Sequence, residues 1–235
     1  MTEYTDEDWY DDLINEYAPP TYRKFPTQEQ IAYWRGRVPD LLLRWWTEQG
    51  WGSLSDGKYW VCDPEQLRPV IEEVFAGDPD YHPDDLIPFG YNALGVIDVA
   101  MGQGRSMTVD LGFGTVTWRG PQPEFPESEF SGVYYSGIAT GAHLLDWKDE
   151  NGIQIFPWAL EHLGPLEPYQ IYGFVPAYSV TGDYPVKNLQ KLPVVEHLVT
   201  LASLSPPTLY DYVKPEGAQG GFGTLVPQRK VGRQP

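Results

Sequence analysis

The stretch from Leu86 to Trp118 constrains the fold most. Side chains repeat at every second position through Val96, Asp98 and Ala100, through Met107, Val109 and Leu111, and through Val116 and Trp118. A period of two belongs to strands, so three or four antiparallel strands are predicted here. Glycine-rich turns separate the runs. Gly102-Gln103-Gly104 and Gly112-Phe113-Gly114 sit where hairpins turn, with no helix after them, so they read as turns and not as phosphate cradles.

Helical signals flank this region. Thr27 with Gln30 three residues on forms a capping-box pattern for a helix over 28–36. Pro39 fits the first position of a second helix, Asp40 to Gln49, with Gly50 past its end. Its apolar face is Leu41, Leu42, Trp45 and Trp46. Ser55-Asp56-Gly57 marks a turn before a strand from Tyr59 to Cys62. Asp63-Pro64-Glu65-Gln66 then opens a helix over 65–76 that ends at Gly77. Before all of these, a short helix is expected through Trp9 to Tyr17, stopped by Pro19-Pro20. After the strands, the proline-rich run 121–126 reads as a connector. Residues 131–145 read as helical or mixed and Phe156 to Leu163 as a helix. A strand pair broken by Pro176 is expected over 169–180, and a last helix over Pro193 to Leu204 with Leu198, Leu201, Ala202 and Leu204 facing inward.

The expected fold class is therefore α+β in two small domains. The first has an antiparallel sheet with helices, and the second is a mixture of helix and strand. Expected boundaries are an acidic lead-in (1–24), a first domain (25–122), a second domain (123–212) and a loosely held Gly-rich basic tail (213–235) with Lys214, Arg229, Lys230 and Arg233.

Charge is the second constraint. The chain has 235 residues, with 33 Asp and Glu against 16 Lys and Arg, a net charge of −17. Residues 1–17 hold seven carboxylates and no base; residues 63–85 hold eight against Arg68 alone. These two segments carry −14, so the rest is nearly balanced. An acidic surface argues against nucleic acid or an anionic membrane as a direct partner, because phosphates need a basic face. Aromatic residues (Trp9, Tyr10, Tyr17, Tyr81) lie among the acids, and a tail that serves solubility alone has little use for them.

Covalent and metal chemistry find no pattern. The one cysteine, Cys62, excludes an intramolecular disulfide or a thiolate zinc site. It sits on an expected buried strand, as a core residue. Tyr134-Tyr135-Ser136-Gly137-Ile138 lacks both flanking glycines of a serine-hydrolase elbow. Read as a calcium loop from Asp78, the acidic run places Pro83 where glycine belongs and Phe89 where the bidentate glutamate belongs. The histidines (His82, His143, His162, His197) make no ligand pair, and the pairs Glu161-His162 and Glu196-His197 read as exposed. No metal or cofactor is expected. No apolar run nears the ~18 residues of a membrane span, and Met1 to Asp8 is acidic where a secretory signal would be basic. A cytoplasmic protein is expected.

Two longer patterns carry a resemblance. Pro39-Asp40-Leu41-Leu42-Leu43-Arg44-Trp45-Trp46, Gly50-Trp51-Gly52 and Asp56-Gly57-Lys58-Tyr59-Trp60-Val61 before Asp63-Pro64 resemble the GAD-like domain. Leu163-Gly164-Pro165-Leu166-Glu167 and Gln170-Ile171-Tyr172-Gly173-Phe174-Val175-Pro176-Ala177, continued by Gly182, Val186, Asn188-Leu189 and Glu196-His197-Leu198, resemble the C-terminal domain of Tdi-type proteins. Together they span about residues 25–205 and leave the lead-in outside. Proteins pairing these domains are often immunity proteins of bacterial type VI secretion, which bind and silence a toxic effector, frequently a DNase. The resemblance implies a non-enzymatic inhibitor whose partner is a cognate toxin, expected to be a basic nuclease domain.

On that reading the carboxylates Asp8, Asp11, Asp12, Asp78, Asp80, Asp84 and Asp85 would meet toxin cations. Trp9, Tyr10 and Tyr81 would fill pockets. A carboxylate-dependent hydrolase acting on a small polar or sugar substrate is the alternative, and would need two acids converging in one pocket. A third reading leaves the acids to keep the chain soluble.

Overall fold

In the computed structural model the described residues are 6–16, 19–102, 105–119, 138, 146–213 and 224–233. The expected connector at 121–126 and the mixed segment at 131–145 lie outside them, apart from buried Ile138.

Local chemistry sets the helices. Helix α1 spans Asp6–Glu16, α2 Gln28–Trp34 and α3 Asp40–Glu48. At α2 both arms of the capping box form: Gln30 N–H donates to Thr27 Oγ1 at 3.2 Å, and Thr27 N–H donates to Gln30 Oε1 at 2.9 Å. Pro39 is the N-cap of α3, one place earlier than expected. Helix α4 (Pro64–Val74) has Asp63 as N-cap and proline at its first position, as its sequence predicts.

Nine strands form one sheet in the order β1 (Thr21–Lys24), β2 (Trp51–Leu54), β3 (Tyr59–Val61), β4 (Ile87–Asn92), β5 (Ile97–Met101), β6 (Arg105–Asp110), β7 (Thr115–Arg119), β10 (Thr208–Val213) and β11 (Thr224–Lys230). Strands β4 to β7 are the four antiparallel strands expected between Leu86 and Trp118. The β7–β10 pair is parallel, and β11 closes the far edge antiparallel to β10.

Both faces of this sheet are covered, which is why every residue of β4 is buried. On one face α1–α3 supply Tyr10, Leu13, Trp34, Leu42 and Trp46 against Tyr59, Val61, Ile87 and Phe89. On the other, α4 packs with Trp60, Tyr91, Ile97, Val99, Met107 and Val116. The same cluster takes in α5 (Ile155–Leu163), β8 (Gln170–Phe174) and α7 (Val194–Leu204). A bulge between Pro88 and Gly90 explains how Phe89 and Tyr91, two apart, feed opposite cores. In β5 the cluster shared with α4 takes Ile97 and Val99, while Ala100 joins the other cluster. Asp98 is buried and accepts a 2.9 Å hydrogen bond from Tyr59 Oη. The indole N–H groups of Trp45, Trp46 and Trp51 have no hydrogen-bond partner among the described residues. Trp46 packs edge-to-face with Trp34 and with Trp51, the favoured ring geometry.

Three expectations need correcting. Of the strand pair expected at 169–180 only β8 forms; its partner is β9 (Leu189–Pro193), and Tyr178–Thr181 is a short helix, α6. Leu204 is 65% exposed, because the buried stripe of α7 runs through Val194, Leu198, Leu201 and Ala202. The described part of the basic tail is not loosely held: Thr224–Lys230 is a strand of the main sheet, paired with β10 across one bulge at Gln228.

Gly90 gives a test of this packing. A Cβ at that position would collide with the Tyr59 hydroxyl, whose bond to Asp98 leaves it little room to move. Gly90→Ala is expected to destabilise the chain by about 2–3 kcal/mol, the upper part of the overpacking range. Denaturant melts of Gly90→Ala, Tyr59→Phe and the double variant check it: the loss caused by Gly90→Ala should be smaller in the Tyr59→Phe background than in wild type.

Candidate functional site

The loop after α4 carries the second acidic cluster, and one carboxylate organises it. Asp78 has a fully buried side chain. Its oxygens accept from the backbone N–H of Asp80 at 3.0 Å, Tyr81 at 3.1 Å and Gly232 at 2.8 Å. Arg229 of β11 meets it with both terminal nitrogens, at 2.7 and 2.8 Å, and reaches Asp80 at 2.6 Å. Burial alone would raise the Asp78 carboxyl; the Arg229 bond and the three backbone donors outweigh it and hold the group below the usual carboxylate range. Asp78 is therefore a structural clamp, not the docking carboxylate its position suggests.

The clamp fixes the residues that follow. Asp80 is 64% exposed even while it pairs with Arg229, and Tyr81 is half-buried against Phe75 and the Arg229 guanidinium. A 3₁₀ turn over Pro83–Asp85 presents Asp84 and Asp85 to solvent, with Asp84 75% exposed and 3.5 Å from Arg68. Asp80, Tyr81, Asp84 and Asp85 line one open pocket of 510 Å³. Arg37 and Arg105 line the same pocket, so three carboxylates share one concave surface with two guanidinium groups.

The lead-in behaves differently. Tyr10 is only 1% exposed: it packs edge-on to Trp45, lies under Arg44, and donates to Glu48 at 2.8 Å. Burial, then that bond, pushes its phenol up. It holds α1 onto α3 and is unavailable as a docking anchor. Asp8 and Asp11 are exposed on α1, while the side chains of Trp9 and Asp12 lie outside the described part.

Other chemistry-bearing residues resolve as follows. Cys62 is buried and its thiol is pushed well up, first by burial. His162 is exposed and stacks on Trp158, but His197 is half-buried and burial pushes its imidazole down, against the expectation of exposure. His197 and Asp110 line one cavity of 20 Å³, room for about a single water. Burial pushes Asp110 up to about 6, against hydrogen bonds from Phe113 and Gly112. Sequence patterns missed Arg229 because its partner is far along the chain; the only available hint was a basic residue in an acidic protein's tail.

Fold and surface define the class: an α+β protein in two parts, with its exposed carboxylates on a preset loop. Residues 8–112 match the GAD-like domain, and residues 141–205 match the C-terminal domain of the type VI secretion immunity protein Tdi1. The chain therefore carries a GAD-like domain followed by a Tdi1 C-terminal domain. The first match begins at residue 8, inside the stretch expected as a lead-in. The second match supports the role of a type VI immunity protein with a toxin effector as partner. Among solved structures, the chain is similar to Atu4351 from Agrobacterium tumefaciens, with 26% identity and a TM-score of 0.80, over 96% of this chain and 99% of that one. No curated protein matches. Among the described residues, no helix is long and apolar enough to cross a membrane.

Replacing Arg229 tests the clamp. Arg229→Ala leaves a buried carboxylate unpaired and should cost about 2–3 kcal/mol, discounted because the guanidinium is partly exposed. The folded Asp78 value is depressed, so the pair's contribution is present above the unfolded value of about 3.9 and lost as pH falls through the lower folded one. The stability gap between wild type and Arg229→Ala should be full at pH 7 and shrink below about pH 4. Urea melts across that range measure it.

Proposed function

We propose that this protein neutralises a nuclease effector of type VI secretion by seating the exposed carboxylates of its Asp80–Asp85 loop on the effector's cationic surface. The observation that carries this reading is the loop itself: three exposed aspartates on one pocket, held in place by the buried Asp78–Arg229 clamp. A nuclease must present positive charge to phosphates, and a preset row of carboxylates can stand where phosphates would. Asp8 and Asp11 on α1 add to the same field. The net charge of −17 supplies long-range steering, which acts on association rate more than on final affinity.

The hydrolase reading has a weaker basis. Three carboxylates do share a pocket, but Asp80, Asp84 and Asp85 are all exposed. Nothing buries one of them relative to another, which is how paired acids are given distinct acid and base roles.

Two measurements test the proposal. Cells making the effector encoded alongside this protein should fragment their DNA unless the protein is co-produced; death despite co-production overturns the immunity reading. Stopped-flow association of the purified pair should slow about tenfold or more for Asp84→Lys with Asp85→Lys, with a flatter salt dependence. Unchanged rates at low salt would remove this loop from the docking face.

A further inference from the structure

Charge on the Asp80–Asp85 loop leaves affinity unexplained. Exposed pairs contribute little, and two of the three aspartates already have a basic neighbour within the chain, Arg229 and Arg68. Tight inhibitors instead rely on a few anchors seated in well-packed pockets, arginine prominent among them.

An open cleft that could seat such an anchor lies elsewhere. A cleft of 470 Å³ opens between the β1–β3 end of the sheet and the segment after α5. One wall holds Tyr22, Asp56 and Gly57; the other holds Leu160, Pro165 and Leu166. Tyr22 is 56% exposed and stacks on buried Trp60 at 5.8 Å. The hydroxyls of Thr21 and Ser53, also on the wall, bond to each other. Asp56 is exposed and has no hydrogen bond or ion pair among the described residues, and no lysine or arginine among them lines the cleft.

Backbone strain collects at the same place. Among the described residues four non-glycine positions have left-handed backbone: Tyr22 (φ 53), Ser55 (φ 51), Asp56 (φ 58) and Tyr169 (φ 64). Tyr22 and Asp56 line the cleft, Ser55 adjoins Asp56, and Tyr169 lines a 120 Å³ cavity that shares Tyr22 with it. A hairpin turn accounts for Asp56 in this conformation, since Asp tolerates it. At Tyr22 the irregularity is a bulge of β1 between Thr21 and Lys24, which turns the tyrosine ring over Trp60 and into the cleft.

We infer that this cleft is an arginine pocket for the effector, with the guanidinium lying on the exposed face of Tyr22 and paired to the Asp56 carboxylate. The apolar wall of Leu160, Pro165 and Leu166 suits the arginine stem, and the ring face and single carboxylate suit a flat cation better than an ammonium. The inference rests on the immunity reading and deepens it: the acidic loop sets how fast the pair meets, and the cleft sets how long it stays.

Three variants, Tyr22→Gly, Asp56→Gly and Asp56→Asn, test it by calorimetric binding to the purified effector and by thermal melts. Each should weaken binding at least tenfold, through faster dissociation. Asp56→Gly relieves left-handed backbone at an exposed turn, so it should melt at or above the wild-type midpoint while binding worse; Tyr22→Gly, which also loses the Trp60 stack, is read by binding alone. A merely structural role predicts the opposite pattern, a lower midpoint with binding intact, and would overturn the proposal. Wild type that binds while all three variants bind equally well overturns the arginine pocket alone. A wild-type chain that binds no effector overturns the immunity reading and this pocket with it.

Discussion

A sheet that must be dry on both faces determines the rest of this structure. Once β3, β4 and β5 are apolar on alternate sides, neither α1–α3 nor α4 alone can bury them, and two helical layers are obligatory. The layer over Trp60, Tyr91, Ile97 and Val116 comes partly from the Tdi1-like half, through Ile155, Phe156, Ile171 and Leu198. The two matched domains therefore share one hydrophobic cluster. A fully buried aliphatic or aromatic side chain contributes about 1.5–3 kcal/mol, so separating the halves would expose many such groups at once. The sheet's last strands extend it beyond both matches: β7 follows the GAD-like residues, β10 and β11 follow the Tdi1-like ones, and β10 pairs with β7.

Acidity in this protein is less a surface property than its composition suggests. Asp63 caps α4, Asp78 clamps the tail, Asp98 takes the Tyr59 hydroxyl, and buried Asp149 accepts from the backbone N–H groups of Asn151, Ile153 and Val186. Each accepts hydrogen bonds from within the chain, and bonds to a charged acceptor contribute about 1.5–3 kcal/mol. Counting carboxylates therefore overstates the docking face. Most of the described carboxylates still face solvent, Asp56, Glu72, Glu73, Glu161, Asp183 and Glu196 among them; the Asp80–Asp85 loop differs in that Asp78 fixes its backbone.

What the sequence reveals here follows from range. The capping box of Thr27 and Gln30, the Asp63-Pro64 start of α4 and the period-two strands after Leu86 are all decided within a few residues, and each appears as read. Pairings decided by distant partners do not. Strand β9 lies beyond the stretch in which β8's partner was expected, the tail's Gly-rich composition hides the strand Thr224–Lys230, and only the fold brings Arg229 to Asp78. Tyr10 illustrates the same limit within the site: in sequence it is an aromatic among acids, the composition of an interface anchor. In the structure it is the residue that fastens α1 to Arg44 and Glu48.

The shared core also gives the cleft at Tyr22 its meaning. Its two walls belong to the two halves, so their spacing is set by how β1–β3 and α5 pack against common residues such as Trp60 and Phe156. A pocket between independently moving units would lose affinity each time it had to be assembled, because ordering it would be charged against binding. One continuous core removes that cost in advance. Left-handed backbone at Tyr22 and Ser55 has local causes, the bulge of β1 and the turn before β3. Trp60, stacked between Tyr22 and Tyr91, is the link, since one ring supports the cleft on one side and anchors the common core on the other.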